Sequence, residues 1–230
     1  MSENSAKSSK RVLGPMPKLG VLAVLVLVSG WLFGQATPGG AVIKEPAVGT
    51  EAWEYNFTFD GYIVPNGVSY GNPDFTADHN WLHLEARYND ENLHTGSLWA
   101  GYNFSWGKKL VLDVTPMIGG VFGRTTGIAP GCEASLTYKK IELSINNEYV
   151  FDTTHKSGNF YYAWPQLTYS PLEWLHVGAV AQHTAAYHEP VHLQRGFLVG
   201  FSHKKWEFTT YVFDPELPDP VVVLEAGVSF

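Results

Sequence analysis

The sequence predicts an all-β fold: an antiparallel up-and-down transmembrane β-barrel of about twelve strands, after an N-terminal signal segment. Three observations lead there. Apolar and polar residues alternate with period two over long runs, a double-lysine turn recurs at a regular interval, and tryptophans sit beside the short turns. The aromatic content of 8 Trp, 12 Tyr and 13 Phe in 230 residues agrees, because aromatic side chains gather in sheets and at membrane interfaces.

The chain opens with Lys7, Lys10, Arg11 and Lys18 ahead of the uncharged apolar run "LGVLAVLVLVSGWLFG", residues 19–34, which leaves through the small-residue exit "GQA" at Gly34 to Ala36. This pattern predicts an export signal over residues 1–36, cleaved after Ala36, and favours it over a retained anchor, because the run is shorter than a bilayer-spanning helix needs. Residues 37–50 are then a short periplasmic segment, and residues 51–230 the barrel. No cysteine stands at the exit, which argues against a lipid anchor. Without residues 1–36 the chain has 11 Lys+Arg against 21 Asp+Glu, a formal charge of −10 on 194 residues, and an acidic chain is a poor partner for nucleic acid. Cys132 is the single cysteine, so no internal disulfide forms; it shares an alternating apolar face with Ala134, Leu136 and Tyr138, the setting of a buried or lipid-facing thiol.

The strands follow from the turns. Lysine pairs at 108–109, 139–140 and 204–205 are 31 and 65 residues apart, and half of 65 lands near "SPLEWL", residues 170–175. One step back from 108 reaches "GNPDFTAD", residues 71–78, a cluster of turn formers. Between these turns lie longer breakers: "DG" at 60–61, "NDENLHT" at 89–95, "GRTTGIAPG" at 123–131, "TTHKSGN" at 153–159, "HEPVH" at 188–192 and "DPELPDP" at 214–220. Strands are therefore expected at 51–59, 62–71, 78–88, 95–106, 110–122, 131–139, 141–152, 159–170, 174–187, 193–203, 206–213 and 221–230. In the first, Trp53, Tyr55, Phe57 and Phe59 share one face; in the seventh, Ile141, Leu143, Ile145, Tyr149 and Phe151 oppose Glu142, Ser144, Asn146 and Glu148. Pro65 and Gly67 interrupt the second.

Strands of nine to eleven residues suit a tilted bilayer crossing, and Trp106, Trp174 and Trp206 beside the short turns suit an interfacial girdle. The final run "VVVLEAGVSF" places Val222, Leu224, Ala226, Val228 and the terminal Phe230 on one face. With the export signal and the hairpin metering, this resembles the Gram-negative outer-membrane β-barrel proteins, whose C-terminal assembly signal ends in Phe. The resemblance implies an outer-membrane location, contact with outer-membrane lipid, recognition of Phe230 by the barrel-assembly machinery, short turns on the periplasmic side and longer loops outside.

With the apolar face toward lipid, the lumen face collects Glu54, Glu85, Asp113, Glu133, Glu142, Glu148 and Glu225 against Arg87 and Lys139. A negative interior predicts a small passive channel for cations or small neutral solutes. Twelve strands also allow a side-chain-filled lumen and a structural or adhesive barrel. In "NWLHLEARY", Trp81, His83, Glu85 and Arg87 share one face of the third strand, set for a hydrogen-bonded ladder. The candidate lumen-lining residues are His83, Glu85, Arg87, Asp113, Glu133, Glu142, Glu148 and Glu225. His183, His188, Glu189 and His192 invite a zinc reading, which Pro190 disfavours by breaking their spacing, so no metal or cofactor is expected. A lipid-modifying enzyme similar to outer-membrane phospholipase A would need Ser, His and Asn on the lipid face. Its motifs are not matched, and His183 finds no serine on the outward faces of its neighbours, so no enzyme is expected.

Overall fold

The computed structural model describes residues 52–186 and 192–230. The signal segment, 1–36, and the short segment before the barrel, 37–50, lie wholly outside them. The strands are β1 (Glu54–Ile63), β2 (Tyr70–His79), β3 (Leu82–Tyr88), β4 (Thr95–Tyr102), β5 (Phe104–Gly107), β6 (Leu110–Gly123), β7 (Gly127–Tyr138), β8 (Ile141–Asp152), β9 (Phe160–Leu172), β10 (Leu175–Ala186), β11 (His192–His203), β12 (Trp206–Phe213) and β13 (Val221–Ser229). β4 and β5 are one strand: Gly101 pairs Met117 and Phe104 pairs Val114 on the same register of β6. That register sets Pro116 opposite Tyr102, and a proline cannot donate to the ladder where it breaks.

Every strand pairs antiparallel with its neighbour in sequence, and β1 closes on β13 from Asn56↔Ser229 to Ile63↔Val222. The result is a closed twelve-stranded antiparallel barrel. Closure leaves no sheet edge unpaired, the condition for a sheet that lies in lipid. The seam ends in a reciprocal backbone pair, Tyr55 N to Phe230 O at 3.0 Å and Phe230 N to Tyr55 O at 2.9 Å, with the two rings stacked 5.8 Å apart.

One rim carries the tight turns at Asn80-Trp81, Lys108-Lys109, Lys139-Lys140, Glu173-Trp174 and Lys204-Lys205, and the other carries the longer connections. Asn80, Lys139 and Lys204 adopt positive φ of 54°, 57° and 58°, which closes two-residue hairpins at His79↔Leu82, Tyr138↔Ile141 and His203↔Trp206. Trp81, Trp106, Trp174 and Trp206 are exposed beside these turns, and the last three stack on outward Phe104, Phe201 and Phe208. This is an aromatic girdle. Above it Phe57, Phe75, Leu98, Ile118, Leu143, Leu167, Phe197 and Leu224 form an apolar outer belt.

The first hairpins differ from the sequence reading. Residues 71–78, read as a turn, lie in β2, and Asp60 and Gly61, read as a breaker, lie in β1; the connection is 64–69, around the Pro65 and Gly67 that had been placed inside a strand. The physical reason is the outward pair Phe59 and Gly71. The Phe59 ring lies where a Cβ on Gly71 would stand, so the glycine makes room for an aromatic neighbour instead of ending a strand. From residue 95 onward the expected strands and turns agree with the structure to within a few residues.

Candidate functional site

The lumen is built from the inward half of each dyad. β2 contributes Asn72, Asp74, Thr76 and Asp78, β3 His83, Glu85 and Arg87, β6 Asp113, β7 Glu133, β8 Glu142 and Glu148, and β13 Glu225. Trp81, placed on the His83 face by alternation, instead caps the turn before β3 and stacks on Tyr102. Arg87 is the single Lys or Arg on the inward face of the described strands.

Toward the loop rim the lumen is packed. Arg87 makes a fork with Glu85, Nε to Oε1 and Nη2 to Oε2, both at 2.7 Å, while Nη1 reaches Asp90 Oδ2 at 3.2 Å and Glu148 Oε2 at 3.1 Å. Since Glu148 stands on β8, the arginine ties opposite parts of the wall together. Asp74 and Glu133 lie 3.6 and 3.7 Å from the guanidinium, and the Trp99 ring centroid is 4.7 Å from its carbon. Trp99 donates from Nε1 to Ser97 Oγ at 2.9 Å and covers Gly119 on β6, where a Cβ would collide with the ring. Two apolar clusters flank this network: Trp99, Met117, Val121, Ala129 and Val150 on one side, and Tyr62, Val180, Leu198, Tyr211, Phe213 and Val223 on the other.

Toward the short turns the lumen opens into a cavity of about 330 Å³ lined by Thr76, Asp78, His83, Asn103, Asp113, Thr115, Glu133, Thr137, Glu142 and Asn146. Asp78 faces His83 across the ladder, with Nδ1 and Oδ1 2.9 Å apart, and accepts from Asn103 Nδ2 at 2.7 Å. Glu142 accepts from Thr137 Oγ1 at 3.1 Å, its cross-strand neighbour. Lys139, counted from the sequence among the lumen bases, instead lies over the Tyr138 ring at 5.2 Å. A second cavity of about 310 Å³ includes Asp60, Asp74, Glu85, Arg87, Asp90, Tyr211 and Glu225, and it shares Thr76, Glu133, Asn146, Trp164 and Gln166 with the first. Glu225 accepts from Tyr211 Oη at 2.9 Å.

Several lumen acids escaped the sequence reading. Asp60, Asp74 and Asp78 lie in the stretch read as breakers; Asp90 and Glu91 sit in the β3–β4 loop, which folds against the inner wall; Glu207 stands 3.5 Å from His176 on the inward face. Even spacing with Asn56, Thr58 and Asn72 was the available signal for the first three. His183 is on the outward face beside Tyr161, paired with Ala163 and Leu193 on its two sides. His188 and Glu189 lie outside the described residues, as does the side chain of His192. Cys132 is half-buried on the outward face, and its thiol donates to the Glu133 carbonyl at 3.5 Å.

No family model and no curated protein matches this sequence. Among solved structures the barrel is similar to KdgM porin, with a TM-score of 0.55 and 10% identity over 76% of this chain and 99% of that one. The KdgM porin in complex with disordered oligogalacturonate gives 0.53 and 9% over 77% and 99%. The Pseudomonas aeruginosa OpdQ superposes at 0.40 with 8% identity, over 76% of this chain and 62% of that one. The KdgM likeness is one of fold alone.

Proposed function

We propose that this chain is a small passive channel of the outer membrane, for cations or small neutral solutes. One observation carries the reading: the two lumen cavities share five lining residues, so the polar space of the short-turn half adjoins that of the loop half. That space is lined by carboxylates, with Arg87 as the single Lys or Arg on the inward face of the described strands. Low-dielectric walls focus this negative field and raise the local concentration of cations. A porin solved with oligogalacturonate, a polyanion, shares the fold at 9% identity. The acids here would repel such a ligand, which supports a different solute for this barrel.

A filled-lumen structural barrel is the second reading, favoured by the clusters around Trp99 and Phe213, the latter with no exposed surface. Recording from the folded protein in a planar bilayer separates the two. The channel reading expects a small cation-selective conductance whose selectivity falls as salt screens the acids; silence, or a preference for anions, overturns it. On the same reading the exported chain begins at Thr37, which N-terminal sequencing checks. Phe230 serves as the assembly signal, since it completes the outward stripe of β13 and the hydrogen-bonded seam. Deleting it should lower the yield of heat-modifiable barrel far more than replacing Lys156 in the loop after β8.

A further inference from the structure

We infer that the loop-side mouth of the barrel holds a Ca²⁺ site, formed by Asp90 and Glu91 of the β3–β4 loop and Glu148 of β8, with the side-chain oxygen of Asn72 as a fourth ligand. One oxygen from each of the three acids lies within 4.8 Å of the others. Ca²⁺ takes about six to eight oxygen ligands in flexible geometry, whereas Mg²⁺ is usually held by one or two carboxylates and keeps several waters, so three carboxylates at one point suit the larger ion. Carboxylates and an amide, with no thiol or imidazole among them, also select a hard cation.

The independent sign of a ligand is a pair of buried oxygens without donors. Asn72 and Glu91 are each 6% exposed, and neither Asn72 Oδ1 nor Glu91 Oε2 has a hydrogen-bond partner. A buried acceptor left unmet costs about 1–3 kcal/mol. The Asn72 amide is already turned toward the acids, with Nδ2 3.5 Å from Asp90 Oδ1. That length is at the limit of a hydrogen bond. Rotating the amide by 180° exchanges nitrogen for oxygen, and two oxygens at this separation are compatible when both bind one cation.

Arg87 leaves the demand unmet. Its Nη1 engages Oδ2 of Asp90 and Oε2 of Glu148, and its remaining nitrogens are forked on Glu85. Trp99 Nε1 takes Oε1 of Glu91 at 3.3 Å. Each acid thus has one oxygen bound to a protein donor and a second outside those bonds. The Asp90 side chain, 27% exposed, gives the ion a way in from solvent. A bound Ca²⁺ would fasten the β3–β4 loop to β8 across the lumen.

The test is calorimetric titration of CaCl₂ into the full chain, folded in a non-ionic detergent and freed of divalent ions with EDTA. One saturable site is expected, with a Ca²⁺-dependent rise in melting temperature. Glu91→Gln and Asp90→Asn should each weaken binding tenfold or more, while Glu216→Gln, in the loop between β12 and β13, should leave it unchanged. If Glu148→Gln fails to assemble, the two loop variants still decide the matter. No saturable binding, equal affinity in wild type and both loop variants, or tighter binding of Mg²⁺ than of Ca²⁺ would each overturn the site. This test is independent of conduction, so a silent barrel that binds Ca²⁺ leaves the inference standing.

Discussion

The two halves of the lumen solve the problem of inward charge in opposite ways. Toward the loops, Glu85 and Glu148 are 6% and 2% exposed and both are hydrogen-bonded to one arginine. Toward the short turns, Asp113 and Glu142 line an open cavity, and Glu142 is bonded to a threonine hydroxyl. Where water is excluded, a carboxylate needs a positive partner, because an unpaired buried charge costs several kcal/mol. Where water is present, it supplies the solvation and the charge stays available to a passing ion. Both halves are written with the same alternating pattern, so the pattern alone does not separate a clamped acid from a free one.

The sharpest way to break this contrast is Arg87→Met. It leaves Glu85, Glu148 and Asp90 without their shared donor, and removing one partner from a buried ion pair costs about 3–5 kcal/mol. The urea midpoint of the detergent-folded barrel, followed by gel mobility, should fall markedly. If the variant unfolds at the wild-type midpoint, the loop half is not held by this network.

A somewhat smaller effect is expected from Phe213→Ala. Phe213 is fully buried and packs edge-on against Trp164, with ring centroids 5.1 Å apart. A Phe-to-Ala change in a packed site costs about 3–5 kcal/mol where the neighbours cannot collapse. Here the void adjoins a lumen cavity that water can enter, so the lower end is expected, together with a larger conductance. An unchanged conductance would mean that the narrowest point lies elsewhere.

What the sequence made legible follows the same division. Long dyadic runs, two-residue lysine turns and rim tryptophans are local signals, and they sufficed for the strands after residue 95 and the closed all-β architecture. Asp60-Gly61 and Gly71–Asp78 misled because glycine, proline and aspartate commonly end strands, whereas here Gly71 is fitted to Phe59 and the aspartates face a polar interior. The Arg87–Glu148 contact joins residues 61 apart in sequence, across the barrel. Nothing in either strand's own pattern announces it. The inward turn of the β3–β4 loop is equally silent, since "NDENLHT" reads as an exposed polar loop until Asn89 Nδ2 is seen bonded to the Gly71 carbonyl at 2.8 Å.

The smallest expected effect on stability is also the one that speaks most directly to selectivity. Glu133 and Glu148, both in the outer half by strand counting, look from the sequence like a pair that could be neutralised harmlessly; the structure makes Glu148 a poor choice, because it is bonded to Arg87 and its loss would disturb packing as well as charge. Asp113 and Glu142 form the cleaner pair. Asp113 faces Ser105 and Ser135 across its two ladders, and Glu142 faces Thr137 and Thr168, so neither has a cross-strand base and replacing both strands no cation. Amides keep the shape and the hydrogen-bonding capacity of the acids. Asp113→Asn with Glu142→Gln should therefore shift the unfolding free energy by no more than about 1 kcal/mol, in the range of substitutions at solvated sites. If ions pass this cavity, removing two negative charges from its wall should lower the cation-to-anion permeability ratio at low salt, and the difference from wild type should shrink as the Debye length falls from about 10 Å at 0.1 M to about 3 Å at 1 M. A stable double variant with an unaltered reversal potential at low salt would mean that the short-turn half is a vestibule, with selectivity set at the packed half by Arg87 and its acids.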